Sequence, residues 1–332
     1  MRKHTNIALF VPHAGCPHQC AFCDQRAISG KIAPLTPEDV RAAAETALAN
    51  GGQGGEIAFF GGSFTAIDPT YMIRLLEAAY PYIESGDFSG IRCSTRPDAV
   101  DEARLEILKR YGVTAIELGA QSADDRVLRM NGRGHTFVDT LRAASLIRAY
   151  GVELGLQMMT GLYGDTGRES VITAEAFCEM RPDTVRIYPT VVLRHTALAA
   201  LYARGDYAPQ TLEDAVALCA ELLLMFHRAG IPVIRLGLHA GGDVQRNYVA
   251  GPYHPAFREL CESRIYRSVM EAELAKLPQG RYAVYVAPTE ISKAVGQKRA
   301  NLTALAEHGY ICKIKARAET PVYTCDIHEM SD

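Results

Sequence analysis

The sequence lacks any hydrophobic run long enough to place the chain in a membrane or to direct its export. Its apolar run nearest the N-terminus is IALFV at 7–11. A signal core needs about seven to fifteen apolar residues, and a membrane helix needs about twenty. No lipidation motif is present at either end. We therefore expect a cytoplasmic protein with no membrane partner, whose nine cysteines are reduced.

The sequence also has little net charge, because 35 Lys and Arg face 38 Asp and Glu, for a formal charge of -3. This balance excludes a globally basic nucleic-acid-binding protein and leaves local basic patches open. Low-complexity tracts and internal repeats are lacking as well. With 48% hydrophobic and 22% charged residues in 332 positions, the composition is that of a globular protein with one large α/β domain, with or without a small appendage.

Short apolar segments alternate with segments that carry helix signals, such as the N-cap residues Thr36, Asp68 and Asp101. Repeated βα units require parallel strands and right-handed crossovers. The pattern predicts an α/β fold over residues 1–240, a partial (β/α)6-type TIM-like barrel with its chemistry at the carboxyl ends of the strands. A doubly wound open sheet is the competing architecture. The predicted strands are 6–12, 56–62, 90–95, 113–119, 152–159, 183–190 and 231–238.

The alternation stops after about residue 240. Residues 241–280 begin with a segment rich in Gly and Pro and are interpreted as a linker and extension. Residues 281–332 read as strand, helix, loop, helix and strand, which predicts a separate small α+β module. Within it, residues 281–317 contain seven Lys and Arg against two Asp and Glu. This local charge of +5 is the electrostatic pattern expected for phosphate contact.

Three cysteines, Cys16, Cys20 and Cys23, follow the first predicted strand with the spacing C-x-x-x-C-x-x-C. A structural zinc site would need a fourth ligand, which His13 or His18 could provide. A redox pair of Cys20 and Cys23 would leave Cys16 without a role. An iron–sulfur cluster held by three thiolates would leave one iron open to a substrate or cofactor. The spacing alone does not decide among these alternatives.

The stretch GCPHQCAFC at 15–23 resembles the signature loop of the radical S-adenosylmethionine superfamily. The resemblance implies that the three cysteines bind a 4Fe-4S cluster, that Phe22 shields its edge and that S-adenosylmethionine completes the open iron. Reductive cleavage of this cofactor would give a 5′-deoxyadenosyl radical that abstracts hydrogen from the substrate. A reductant such as flavodoxin or ferredoxin would be a partner.

The ends of the next two predicted strands fit the same superfamily. The second strand runs into FFGGSFTA, and the superfamily's equivalent motif receives the methionine amino group of the cofactor. By this resemblance Gly61, Gly62 and Ser63 bind that group. The third strand runs into CSTRPDAV, which places Ser94 and Arg96 at its carboxyl end.

The fourth strand continues as IELGAQSADDRVLRMNGRGHT. This stretch resembles one shared by oxygen-independent coproporphyrinogen oxidases and the Elongator catalytic subunit family. The resemblance implies that Gln121 lies near the cofactor ribose and Arg133 near its carboxylate. Gln157, on the fifth strand, would reach the ribose hydroxyls.

Residues 183–209, DTVRIYPTVVLRHTALAALYARGDYAP, resemble the radical domain of the Elongator catalytic subunit family, which modifies the wobble uridine of transfer RNA. The similarity extends over roughly residues 5–240. That family's acetyltransferase domain is expected to have no counterpart in the short C-terminal part, so its acyl chemistry is not inferred here. Tyr188 and Arg194 follow the sixth strand and are substrate candidates.

Residues 291–316 resemble the helix–loop–helix–strand core of a K-homology domain, whose G-x-x-G loop clamps the backbone of a nucleic acid. The corresponding loop here is GQKR, in which Lys298 and Arg299 would contact phosphates. Alternatively, the module only supports the barrel.

The sequence therefore predicts a radical enzyme that modifies transfer RNA or another RNA. One alternative is a radical enzyme acting on a small molecule, such as a tetrapyrrole or a free modified base, with a structural C-terminal module. Another is a non-catalytic cluster protein that binds RNA.

Overall fold

A computed structural model describes residues 6–11, 16, 19–23, 33–238 and 242–330 of the chain. The strands are β1 (Asn6–Phe10), β2 (Glu56–Phe60), β3 (Gly90–Thr95), β4 (Val113–Gln121), β5 (Glu153–Thr160), β6 (Thr184–Pro189), β7 (Val192–Leu193), β8 (Val233–Leu236), β9 (Tyr248–Ala250), β10 (Gly280–Val286), β11 (Tyr310–Ala316) and β12 (Asp326–Glu329). The helices are α1 (Pro37–Ala49), α2 (Pro69–Glu84), α3 (Glu102–Arg110), α4 (Asp125–Met130), α5 (Phe137–Ala149), α6 (Arg168–Met180), α7 (Ala197–Arg204), α8 (Leu212–Arg228), α9 (Gly242–Asn247), α10 (Phe257–Leu274), α11 (Ile291–Val295) and α12 (Ala300–Glu307).

The main sheet contains seven parallel strands in the order β1-β2-β3-β4-β5-β6-β8. Strand order follows chain order, and the reversal that defines a doubly wound sheet does not occur in it. The predicted partial barrel is therefore confirmed, with β8 as a seventh strand beside the six of the first repeats. All carboxyl ends of the strands meet at one rim.

The helix starts predicted from N-cap residues are confirmed. The side chains of Thr36, Asp68 and Asp101 each accept a hydrogen bond from the backbone N–H three residues later. This bond satisfies a donor that the first helical turn leaves without an intrahelical partner. Each crossover helix therefore begins at the rim where the preceding strand ends.

The face of the sheet turned toward the helices is apolar, whereas the opposite face carries charge. Glu117 on β4 is almost fully buried, and its carboxylate oxygens lie 2.6 Å from Arg186 Nε and 3.6 Å from Arg92 Nη1. Arg92 is also paired with the buried Glu56 at 2.8 Å. This buried charge network joins β2, β3, β4 and β6. Buried charges persist only when they are paired, so the network constrains the register of these strands.

The C-terminal residues form a three-stranded sheet in the order β11-β10-β12, with β11 parallel and β12 antiparallel to β10. Helices α11 and α12 lie between β10 and β11 in the chain. Residues 241–280, expected to be a linker and extension, include the 18-residue helix α10. Its buried Tyr266 belongs to a hydrophobic core shared with the barrel strands and with β10. The division of the chain at 240 and 280 stays a prediction.

Among the helices in the described ranges, none has the length and apolar character to cross a membrane.

We predict that Glu117→Gln lowers the free energy of unfolding by about 3 kcal/mol, because it leaves the buried Arg186 and Arg92 without their shared carboxylate. Urea denaturation measures this change. The control is Glu153→Gln, since Glu153 also pairs with Arg92 but its side chain is 57% exposed, and exposed pairs contribute about 0–1 kcal/mol. Equal losses in the two variants would contradict a special role for the buried network.

Candidate active site

The loop that carries the three cysteines lies at the carboxyl rim, directly after β1. Its described part is fixed by backbone hydrogen bonds on both sides. Ala21 N–H donates to Asn131 O at 3.0 Å, and Leu198 N–H donates to Ala21 O at 2.7 Å. Within the loop, Cys23 N–H donates to Cys20 O at 3.1 Å. The cysteine loop is therefore held between the segment after β4 and the first turn of α7.

Arg133 connects this loop to the end of β4. Its buried guanidinium donates from Nη1 to Cys20 Sγ at 3.2 Å and from Nη2 to Gly119 O. Burial and the neighbouring Cys20 raise the pKa of the Cys16 thiol, while Arg96 and Arg133 act in the opposite direction. Burial outweighs the two cations, so the pKa of Cys16 stays above its ordinary value.

Arg96 is the second cation of the site and joins β3 to the same place. Its Nε and Nη2 atoms donate to the two Asp98 carboxylate oxygens at 2.9 Å each, and Nη2 also donates to Arg133 O. Burial opposes the effect, yet this guanidinium holds the pKa of Asp98 below its usual range. The backbone N–H of Arg96 donates to Ser63 Oγ at 3.1 Å. The ends of β2 and β3 are thereby fixed to each other.

Gly61 and Gly62 form the turn after β2, with φ values of 78° and 56°. Only glycine adopts this left-handed conformation readily at consecutive positions. A Cβ atom on Gly61 would lie 3.5 Å from Val11 O. The turn therefore brings the backbone after β2 alongside the end of β1.

Gln121 ends β4 with a φ of 69°, which is a strained conformation for a residue other than glycine. Its side chain is buried, and a Cβ on Gly119 would lie only 2.9 Å from Gln121 Nε2 and 3.4 Å from Arg133 Nη2. Glycine at position 119 thus makes room for both side chains. Strain of this kind is found at ligand sites, where surrounding structure maintains it.

Gln157 lies deeper, on the inner face of β5. Its Nε2 donates to Glu117 Oε2 at 2.9 Å and to Ser94 Oγ at 3.4 Å. Gln157 and Ser94 are half-buried. The structure therefore brings these two predicted residues together and connects them to the buried charge network.

His135 is a residue of the site to which no role follows from the sequence, although it stands in the quoted NGRGH stretch. Its Nε2 lies 3.3 Å from Ala120 O. Burial, with a further contribution from Arg133, lowers the pKa of His135 to about 4. The imidazole is therefore neutral at pH 7.

Four buried polar atoms on Arg133 and the side chains near it have no hydrogen-bond partner in the described part of the chain. They are Arg96 Nη1, Gln121 Oε1, Arg133 Nε and His135 Nδ1. An unsatisfied buried polar atom costs roughly 1–3 kcal/mol, so four of them in one place indicate groups that a ligand would satisfy. Two guanidinium groups fit a carboxylate, and the amide oxygen fits a hydroxyl. The residues present therefore fit S-adenosylmethionine bound beside the cysteine loop.

The described residues contain no group of three Cys, His, Asp or Glu side chains that could hold a metal ion. The zinc-ligand alternatives His13 and His18 lie outside the described residues, as do 12–15, 17–18 and 24–32 around the cysteines. Binding of a cluster by the three thiols stays a prediction.

The substrate candidates lie in different environments. Tyr188 is half-buried on the inner face of β6, with its hydroxyl 3.5 Å from Arg186 Nη1. Arg194 is exposed after β7, and its backbone N–H donates to Asn247 O. Phe22 packs against the apolar cluster that includes Leu198. Only Tyr188 among the predicted substrate residues lies on the inner face of the barrel.

Lys298 and Arg299 are exposed in the loop between α11 and α12. This loop belongs to the C-terminal module and is far from the cysteine loop along the chain. Both have positive φ values, 49° and 65°. Gly296 packs tightly at the start of this loop, since a Cβ there would lie 3.1 Å from Ser263 Oγ on α10. The loop is thus anchored on α10.

Two further residues were not recognised in the sequence, Glu117 and Arg235. Each is a charged residue inside an otherwise apolar strand, at a position where alternation places it on the inner face. A charged residue within a buried strand is the sequence signal by which Glu117 and Arg235 could be identified.

The sequence profile described as the radical SAM superfamily matches residues 10–176, half of the chain, and that of the Radical_SAM C-terminal domain matches residues 182–267. A tRNA uridine(34) acetyltransferase of Methanocaldococcus jannaschii is 29% identical over 181 residues, which are 48% of this chain and 34% of that protein. Elongator complex protein 3 of Homo sapiens is 30% identical over 234 residues, covering 63% and 41%. The chain thus spans less than half the length of these two relatives.

Among solved structures, the archaeal Methanocaldococcus infernus Elp3 with an N-terminal deletion superposes with a TM-score of 0.64 at 22% identity. The superposition covers 79% of this chain and 62% of that chain. At this identity the likeness concerns the fold, which is the partial barrel described above. The profile match, the order of the strand-end features and this fold agree with one another. The chain belongs to the radical SAM superfamily and is a radical SAM enzyme.

Proposed function

We propose that this enzyme uses a 4Fe-4S cluster and S-adenosylmethionine to modify transfer RNA or another RNA. The observation that carries the proposal is the convergence of the Cys20 loop with Arg96 and Arg133 at the carboxyl rim, where buried polar atoms lack partners. A superfamily member with this arrangement has the residues needed to hold the cofactor beside three thiolates.

When bound and reduced, the cluster would supply the electron that cleaves S-adenosylmethionine to methionine and a 5′-deoxyadenosyl radical. Cys16, Cys20 and Cys23 would hold the cluster, and Phe22 would cover its edge. Other residues of the rim would bind and orient S-adenosylmethionine. Its carboxylate would be bound by Arg96 and Arg133, its amino group by Gly61, Gly62 and Ser63, and its ribose by Ser94, Gln121 and Gln157.

Two features support an RNA substrate. The relatives named above include a tRNA uridine(34) acetyltransferase, and the C-terminal module exposes Lys298 and Arg299 side by side. Consecutive left-handed residues are strained, and such strain is maintained where a loop serves to bind a ligand. A strand of RNA bound by this loop would be presented to the barrel by the same chain.

We predict that anaerobic reconstitution yields the absorbance and iron and sulfide contents of a 4Fe-4S cluster. Cys16→Ala, Cys20→Ala and Cys23→Ala should each abolish it, because a missing thiolate leaves an iron without its protein ligand. Cys312→Ala is the control, since burial raises the pKa of this thiol to about 11 and it lies on β11. Zinc in place of iron and sulfide after anaerobic preparation would refute the cluster.

For cofactor binding, we predict that Arg96→Gln weakens S-adenosylmethionine affinity by about tenfold or more, the range of one charge-assisted hydrogen bond. Equilibrium dialysis with the reconstituted protein measures it. Cluster content should not change, because Arg96 is not a proposed iron ligand. Arg110→Gln, at the exposed end of α3 on the opposite rim, is the matched control. Unchanged affinity in Arg96→Gln would place the cofactor elsewhere.

The substrate is tested by nucleoside mass spectrometry of transfer RNA from a deletion strain and its parent. We predict that one modified nucleoside is lost on deletion and restored by the wild-type gene but not by Cys20→Ala. Identical nucleoside profiles would instead favour a small-molecule substrate.

Finally, we predict that the double change Lys298→Ala and Arg299→Ala weakens transfer RNA binding and lowers the slope of log affinity against log salt by about two. Each side chain that contacts a phosphate releases roughly one counterion. Fluorescence anisotropy at several salt concentrations measures the slope. The matched control changes Lys109 and Arg110 to Ala, an exposed basic pair at the end of α3. A slope equal to that of the control would exclude the loop from RNA binding.

A further inference from the structure

A cleft of about 550 Å³ lies between the last barrel strand and the C-terminal module. One wall is β8, with Arg235 and Leu236, and the other is formed by the start of α10 and by α11. Ser292 and Lys293 of α11 face it, and they stand only a few residues before the basic loop at Lys298 and Arg299. The cleft and the basic loop are thus linked in the chain through α11.

Two of the three cations that line the cleft are neutralised within the protein. Arg258 Nε lies 3.0 Å from Glu262 Oε1, and Arg258 Nη1 donates to Val233 O at 2.7 Å. Lys293 Nζ lies 3.0 Å from Glu262 and 3.0 Å from Glu290. Arg258 and Lys293 already have carboxylate partners, so we assign them a structural role in the walls of the cleft.

Arg235 is different. Its Nε donates to its neighbour Gly237 O at 3.0 Å, and the described residues place no carboxylate within ion-pair distance of it. Glu259 also lines the cleft, but it is exposed and forms no ion pair with Arg235. Arg186 on β6 lies opposite Arg235 in the strand register. The charge of Arg186 is balanced by Glu117.

This arrangement leaves a half-buried guanidinium beside other cations. Burial lowers the pKa of Arg235, and the nearby Arg186 and Arg258 contribute in the same direction, while Tyr188 opposes them. A bound anion would relieve this repulsion. A guanidinium presents two parallel N–H groups that match the oxygen atoms of a phosphate.

We propose that the cleft binds the phosphate backbone of the RNA substrate, and that Arg235 contacts a phosphate where the strand enters the barrel next to Tyr188. The proposal rests on the RNA function proposed above and adds a defined path for the strand, from Lys298 and Arg299 along α11 to β8. Ser292 provides a hydroxyl on this path, and the exposed Ile234 provides apolar surface for ribose.

Binding of fluorescein-labelled transfer RNA to the reconstituted enzyme, measured by anisotropy at several salt concentrations, tests the proposal. Arg235→Gln should weaken binding by about tenfold or more and lower the salt slope by about one. Arg235→Lys should keep the slope and recover only part of the affinity, since an ammonium lacks the paired donors. Arg110→Gln removes one exposed arginine from the opposite rim and should behave as wild type.

The outcomes separate this proposal from the one on which it depends. Wild-type binding with an unchanged affinity and slope in both Arg235 variants would overturn the path through the cleft and leave the RNA function standing. No transfer RNA binding by the wild type at micromolar concentration would overturn both.

A second probe, uridine monophosphate, distinguishes the source of the phosphate. Binding of this nucleotide that Arg235→Gln abolishes, without transfer RNA binding, would assign Arg235 to a free nucleotide and overturn the RNA path. Cluster content and the urea midpoint identify a variant that has lost its fold. If Arg235→Gln has lost its fold, the transfer RNA affinity of Arg235→Lys is compared with that of Arg110→Gln instead. A lower affinity in Arg235→Lys would support the path through the cleft, and an equal affinity would overturn it.

Discussion

The buried carboxylate of Glu117 is the interaction on which the inside of the barrel depends. It forms ion pairs with Arg92 on β3 and Arg186 on β6 and accepts a hydrogen bond from Gln157 on β5. A charge in this position is tolerated only when all its partners stay in place, because a buried unpaired charge is strongly unfavourable. The network therefore fixes which residues of β3, β5 and β6 face one another below the rim.

The active-site rim is built on this base by residues distant in the chain. Arg133 and the Cys20 it contacts are 113 positions apart. Gly119 provides the space in which Arg133 and Gln121 lie side by side. Their remaining polar atoms are buried without partners, which is a cost to stability that a bound cofactor would remove. The ligand-free site is thus less stable than it would be with these atoms paired, and this cost is accepted at a place where a ligand binds.

The distribution of charge also separates structural cations from those available to a substrate. Arg186 is neutralised inside the barrel, whereas its neighbour Arg235 lines the cleft and forms no ion pair with a carboxylate of the described residues. Helix α10 packs in a core that includes both the barrel and the module, so the cleft has walls from both. The basic loop and the barrel rim are consequently parts of one continuous structure.

The sequence by itself determined the βα order, the helix starts at Thr36, Asp68 and Asp101, and the stretch GCPHQCAFC, whose resemblance indicates the superfamily. These features depend on neighbouring residues, because N-caps act over three residues and parallel strands follow from repeated crossovers. Only the tertiary structure decided that Glu117 pairs with Arg186 and that, within the described ranges, Arg235 pairs with no carboxylate. Such pairings depend on the register of strands far apart in the chain and on competition for one carboxylate, which local patterns do not encode.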